Sequence, residues 1–194
     1  FPVRIIRGKA KVFVHNGGLI DDDDRKSTIE TIKAFKKVKD PNVVLKVRLQ
    51  KDYELDLSDR RIKYEIGNMP NKSMLYEEGD VAIQPSKLEG LGLSVLEAVC
   101  CGMPVITTNY PPMNEWVQQK ELIVKKRMFP RKAFSFKAGG IKQSYLRIPS
   151  NGDLVRKIKW CIKNDCSEIS KQNRSWAEAQ FNRKNLLTVW SEAL

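Results

Sequence analysis

Short runs of β-branched and aromatic residues alternate with stretches of helical spacing through the first two thirds of this chain, and that alternation restricts the fold more than any other feature. Lys11-Val12-Phe13-Val14-His15 reads as a strand that Asn16-Gly17-Gly18 breaks. Between Ser27 and Val38, apolar residues recur at Ile29, Ile32, Phe35 and Val38, and Asp40-Pro41-Asn42 ends that helix. Val43 to Leu49 and Arg61 to Ile66 read as strands, the latter closed by Gly67-Asn68. A short helix around Lys72 to Tyr76 and the strand Val81-Ala82-Ile83-Gln84 follow. Leu93 to Cys101 reads as a helix with its apolar face at Leu93, Leu96, Val99 and Cys100; Gly102 stops it. Strand Pro104 to Thr107, helix Met113 to Gln118 and strand Leu122 to Val124 complete the series.

Strands alternating with helices at this spacing imply βαβ units and a parallel sheet. The expected fold class is α/β: a Rossmann-like parallel sheet with helices on both faces and a helical C-terminal tail. The tail, from about residue 151, reads as two or three helices, with Trp160, Trp176, Phe181 and Trp190 as packing anchors. All 194 residues are expected to form one domain, long enough to bury a core without disulfides or metals.

Composition narrows the functional classes. Hydrophobic residues make up 41% and charged residues 30%, which fits a globular domain, and no apolar run approaches the ~20 residues of a membrane span. Phe1-Pro2-Val3-Arg4 holds neither an initiating Met nor a signal-peptide core, so the expectation is a piece of a longer protein. Cys100, Cys101, Cys161 and Cys166 form no CxxC pair, and His15 is the one histidine, a poor ligand supply for zinc. Four reduced thiols and a cytoplasmic location are the expectation. The formal charge of +12 favours anionic partners. Its densest run is Lys125-Lys126-Arg127 with Arg131-Lys132, which reads as a solvated loop or as a patch resting peripherally on an anionic membrane surface. The aspartates Asp21 to Asp24 read as a solvated loop rather than a metal site, because hard cations need alternating ligands.

Ligands of parallel sheets bind beyond the carboxyl ends of the strands. The loops that matter are therefore Asn16 to Lys26, Gly67 to Asn71, Pro85 to Gly92 and Thr108 to Asn114. Gly17-Gly18 permits close backbone approach to a phosphate, and Arg25-Lys26 can pair with its oxygens. Gly90 and Gly92 open a second helix whose free N–H groups favour an anion. Glu97, one turn into that helix, can accept from a ribose diol or serve the helix dipole alone; Glu89 can hold sugar hydroxyls or be solvated.

Glu89-Gly90-Leu91-Gly92-Leu93-Ser94-Val95-Leu96-Glu97, with Pro85-Ser86 before it and Gly102-Met103-Pro104-Val105-Ile106 after it, resembles the signature of family-4 retaining glycosyltransferases of the GT-B fold. Gly17-Gly18 and Arg25-Lys26 resemble that family's first phosphate loop. The resemblance implies one half of a GT-B fold, the donor half, with the acceptor-binding N-terminal domain absent from the chain. It implies a metal-independent transfer from a UDP- or GDP-sugar to a sugar or lipid-linked acceptor, with no cofactor. By the same resemblance, Glu97 binds the ribose and Glu89 the transferred sugar. The backbone of Gly90, Leu91, Gly92 and Leu93 meets sugar and phosphate. Lys26 and Arg25 neutralise the diphosphate, and Gly67-Asn68-Met69 meets the base. Two departures weaken the first loop: Leu19 stands where many members carry Arg, and Ser27 where a glycine usually follows the lysine.

A different class is a non-catalytic basic module for nucleic acid or anionic membranes. It predicts steep salt dependence. Nucleic acid is the weaker partner, because aromatic residues are not interleaved with the basic ones. An epimerase of the same fold would want more acidic residues and histidines near the sugar, and a phosphorylase a cofactor lysine in a recognisable context.

Overall fold

The computed structural model describes residues 3–20, 23–56, 58–129, 131–133 and 144–181. Six strands form one parallel sheet: β1 (Val12–Gly18), β2 (Val44–Leu49), β3 (Ile62–Ile66), β4 (Val81–Gln84), β5 (Val105–Thr108) and β6 (Ile123–Val124), in the order β3-β2-β1-β4-β5-β6. The Rossmann-like α/β fold read from the sequence is the observed one. The chain steps outward from β1 to β3, then returns to the other side of β1 and steps outward again to β6. This leaves a topological switch point between β1 and β4, where ligands bind in such sheets.

The elements form because their apolar residues have one place to go. Helix α1 (Thr28–Lys36) buries Ile32, Ala34 and Phe35 and exposes Lys33. Phe35 meets the ring of Phe13 on β1 edge-on, with centroids 6.1 Å apart. β4 and β5 are buried throughout, as expected of strands covered on both faces. The two crossovers β1–α1–β2 and β4–α3–β5 (α3, Leu93–Cys100) run in opposite directions across the sheet, so right-handed connections put α1 and α3 on opposite faces. Helix α4 (Asn151–Lys163) packs on α1, and α5 (Ser167–Gln180) packs on α3.

Several expectations need correction. α3 buries Val95, Ala98 and Val99, with Cys101 just after it, while Leu93 is 55% exposed. Two apolar series satisfy helical spacing here, and the one through Val95, Ala98 and Val99 faces the core. The helix expected at Met113 to Gln118 is a single 3-10 turn, Met113–Glu115. β1 runs on through Asn16 to Gly18, because Gly17 packs inside the sheet edge: a Cβ there would lie 2.7 Å from Thr28 Oγ1 and 2.8 Å from Leu49. An antiparallel pairing of β7 (Arg131–Ala133) with β8 (Ser144–Leu146) was not anticipated, since three-residue strands carry no readable alternation. Short α2 (Met74–Glu77) lies close to where it was expected.

The tail serves this domain. Asn173 on α5 donates to the Met103 carbonyl at 2.7 Å, and Arg174 to that of Cys100 at 2.9 Å. Ser170 accepts from the Ile6 N–H at 2.8 Å and donates to the Gly102 carbonyl at 2.6 Å. Trp176 packs between Trp116 (6.4 Å) and Phe181 (5.8 Å). Trp190 lies outside the described residues. The four cysteines are free thiols.

Candidate functional site

A cavity of about 600 Å³ opens at the carboxyl ends of β1, β2 and β3 and is closed on its far side by α2, the start of α1 and α3. It sits at the switch point. Gly18, Arg25, Lys26, Gly67, Asn68, Met69 and Glu97 all line it, so residues read from two separate loops and from helix α3 share one cavity. The remaining predicted residues stand otherwise. Gly17 is spent on internal packing. Gly90, Leu91, Gly92 and Leu93 lie beside the cavity rather than in its wall, with Leu91 63% and Leu93 55% exposed.

Glu97 is fixed from below. The hydroxyl of Tyr76, a wholly buried side chain at the end of α2, donates to Glu97 Oε2 at 2.7 Å. Burial pushes the Tyr76 phenol well above its ordinary range, and the hydrogen bond and charge of Glu97 add to this, so it stays a donor. Glu97 thus has one oxygen engaged by protein and stands in the cavity wall as an acceptor.

The opposite side is basic. Arg25 and Lys26 converge on Glu89, at 2.9 Å and 3.1 Å. Ser86 Oγ adds a hydrogen bond of 2.9 Å to the same carboxylate. Burial works to raise the Glu89 carboxyl, and the charges of Lys26 and Arg25 outweigh it, leaving the group below its usual range. Glu89 reaches the cavity through these two cations. Lys26 also lies 3.5 Å from the Ser94 hydroxyl on α3, which joins the basic loop to the glycine turn. That turn is held by Trp116, whose Nε1 donates to the Leu91 carbonyl at 2.7 Å.

Asp24, at the end of the acidic run expected to be solvated, is not solvated. Asp21 and Asp22 lie outside the described residues, but Asp24 is buried and caps α1, accepting from Thr28 N (2.8 Å) and Ile29 N (2.9 Å). Buried Lys87 reaches Glu30 at 3.2 Å and Asp24 at 3.6 Å, and donates to the Asp23 carbonyl at 2.9 Å. It pins the loop after β1 to the loop after β4. His15, also wholly buried, sits beneath them. Its Nδ1 faces the Ile83 carbonyl at 2.7 Å, which can only accept, so Nδ1 carries the proton and Nε2 accepts from Thr28 Oγ1 at 2.9 Å. Among the described residues no cluster of three or more His, Cys, Asp or Glu side chains has the arrangement of a metal site.

Sequence reasoning missed the contribution of β2. Arg48, Leu49 and Gln50 line the cavity at that strand's carboxyl end, and Arg48 is held by Glu65 at 2.5 Å. Tyr76, Lys72 and Ser94 were missed too. The rule that ligands sit beyond carboxyl ends applied to β2 as much as to its neighbours, and would have pointed to residues 48–50.

The model of the family "Glycosyl transferases group 1" matches residues 22–133, more than half of the chain. The chain belongs to the group 1 glycosyl transferases. Solved structures agree with this glycosyltransferase assignment at the level of fold. WaaG, a glycosyltransferase involved in lipopolysaccharide biosynthesis, superposes with a TM-score of 0.62 at 16% identity, over 88% of this chain and 44% of that one. The C-terminal domain of the group 1 family protein LpcC from Francisella tularensis gives 0.62 at 20% identity, over 92% and 89%. TarM of S. aureus, in a complex that contains UDP, gives 0.68 at 16% identity, over 99% and 37%. The chain therefore spans under half the length of WaaG and TarM and nearly all of the LpcC C-terminal domain. Comparison with the curated proteins gives no match. Among the described residues no helix is long and apolar enough to cross a membrane.

Proposed function

We propose that this glycosyltransferase domain is the donor half of a retaining, metal-independent enzyme of family 4, binding a UDP- or GDP-sugar. The observation that carries the reading is one cavity with a fixed acceptor, Glu97, on one side and a pair of cations, Arg25 and Lys26, on the other. A nucleoside diphosphate has the matching pattern: a ribose diol that donates and a diphosphate that carries negative charge. Gly67-Asn68-Met69 forms the rim for the base, where Gln50 Nε2 lies 3.3 Å from the Asn68 side chain and narrows the opening.

When the bond from sugar to diphosphate breaks, charge develops on the departing phosphate. Arg25 and Lys26, already placed and partly shielded from water, stabilise it without reorganising. These fixed cations do the work a divalent ion would do, which is why the reading needs none. Glu89 orients both cations and meets the sugar hydroxyls. The acceptor, a sugar or a lipid-linked sugar, is assigned to a second domain across the cleft. Calorimetric titration with UDP, GDP and ADP, in buffer containing EDTA, tests the reading. Saturable binding of one nucleotide supports it and names the base; failure of all three to bind contradicts it.

A further inference from the structure

The loop after β6 carries the two most exposed large apolar side chains among the described residues, Met128 at 84% and Phe129 at 79%. They follow Lys125, Lys126 and Arg127 directly. Water penalises such exposure, and adjacent apolar tips of this size mark a contact surface. Arg127 also lines a groove of about 530 Å³ whose other walls are Lys33, Lys36, Lys37, Lys39, Glu30 and Asn151. This groove involves none of the residues of the nucleotide cavity.

The charge of the groove is strongly one-sided. Its acidic member, Glu30, is taken by buried Lys87 at 3.2 Å. Lys36 is paired with Asp56, and Lys37 donates to Asn151 at 2.9 Å, a neutral partner that leaves its charge intact. Lys33, Lys39 and Arg127 are exposed and have no acidic partner among the described residues. Lys39 continues the surface into a second hollow, where Lys159 and Lys163 at the end of α4 outnumber the one carboxylate in its lining, Asp40. Two helices lying side by side thus present a basic face, with an apolar tip at its edge.

We propose that this face docks on an anionic lipid surface, the lysines against phosphate headgroups and Met128 and Phe129 inserted among the acyl chains. A lipid surface offers fixed negative charge and an apolar phase together, which is the combination presented here. Nucleic acid would satisfy the lysines and leave Met128 unaccounted for. The inference is independent of the nucleotide reading, because no residue is shared.

Co-sedimentation of the 194-residue chain with phosphatidylcholine vesicles, with and without phosphatidylglycerol, tests the proposal. Binding should require phosphatidylglycerol and weaken with salt. Each of Lys33→Ala, Lys39→Ala and Arg127→Ala should lower the partition coefficient about fivefold. The pair Met128→Ser with Phe129→Ser should lower it about tenfold, through lost apolar contact. All five side chains are exposed, so circular dichroism should be unchanged, and Glu97→Ala should bind vesicles like the wild type. No binding to anionic vesicles overturns the proposal. So does vesicle binding indifferent to the Met128 and Phe129 changes, or tighter binding to duplex DNA than to vesicles, either of which reduces the face to a general polyanion contact.

Discussion

The Tyr76 hydroxyl and the Glu97 carboxylate are joined by a 2.7 Å hydrogen bond in the wall of the cavity beyond the strand ends. Tyr76 is fully buried, so its hydroxyl has no exchange with water to fall back on. Tyr76→Phe removes the donor that orients Glu97 and costs about 1–2 kcal/mol of stability. Nucleotide binding should weaken in the same variant, by less than in Glu97→Ala, because the carboxylate remains but loses its orientation. Chemical denaturation and calorimetry on the two variants check both statements.

Glu89 neutralises the cations that the proposed mechanism assigns to the diphosphate. In Glu89→Gln, Arg25 and Lys26 keep a hydrogen-bonding partner and lose the competing charge. Free nucleoside diphosphate should then bind roughly fivefold tighter, an effect of about 1 kcal/mol for partly exposed pairs. Turnover in the full enzyme should fall, because the sugar loses its carboxylate. The folded-state value of Glu89 lies below the ordinary one, so its contribution to stability is complete above about pH 4.3 and is lost as pH falls through the folded value. Glu89→Gln should flatten stability in that acid range.

His15 gives a pH dependence nearer neutrality. Burial, helped by the Lys26 charge and opposed by the Ile83 carbonyl, lowers it from 6.5 to about 4. Between those values the unfolded chain binds the proton and the folded chain does not. Stability is therefore complete above pH 6.5 and declines toward pH 4, by up to roughly 3 kcal/mol. Asp24, pushed up to about 6 by burial and its hydrogen bond with Glu30, works in the opposite direction. The comparison of wild type with His15→Asn isolates the histidine: the variant should be less stable at pH 7 and lose less on moving to pH 5, measured by urea titration at each pH.

Ser27 sits in the left-handed region (φ 59°, ψ 38°) at the start of α1, and its buried hydroxyl finds no partner among the described residues. Both features disfavour serine, against the entropy a glycine loses on folding. Ser27→Gly should stabilise by about 1 kcal/mol and raise the melting temperature by about 2–4 °C. Calorimetric melting checks it.

These residues also show what the sequence made legible. The sheet was readable because each buried strand is a dense apolar run with a turn after it, as in Val81–Gln84. The cavity was half readable: Gly18, Lys26 and Asn68 lie on loops that strand ends define, and Glu97 one turn into the helix that follows such a loop. Tyr76 and Lys87 were not, because their roles come from contacts with residues 21 and 57 positions away in the chain, Glu97 and Glu30. α3 was placed correctly and rotated wrongly, since two apolar series fit its period and spacing alone does not choose between them. Ser27 departs from the family pattern, and its left-handed backbone gives the physical reason a glycine suits that position.

The central claim is that Glu97 holds the ribose of a nucleoside diphosphate. It is tested most directly by a two-by-two calorimetric comparison of wild type and Glu97→Ala with the preferred nucleotide and with its 2′,3′-dideoxy analogue. A charge-assisted ribose contact predicts that Glu97→Ala weakens the natural nucleotide about 10- to 100-fold and leaves the dideoxy analogue nearly unchanged. Equal weakening of both ligands, or of neither, would contradict the account.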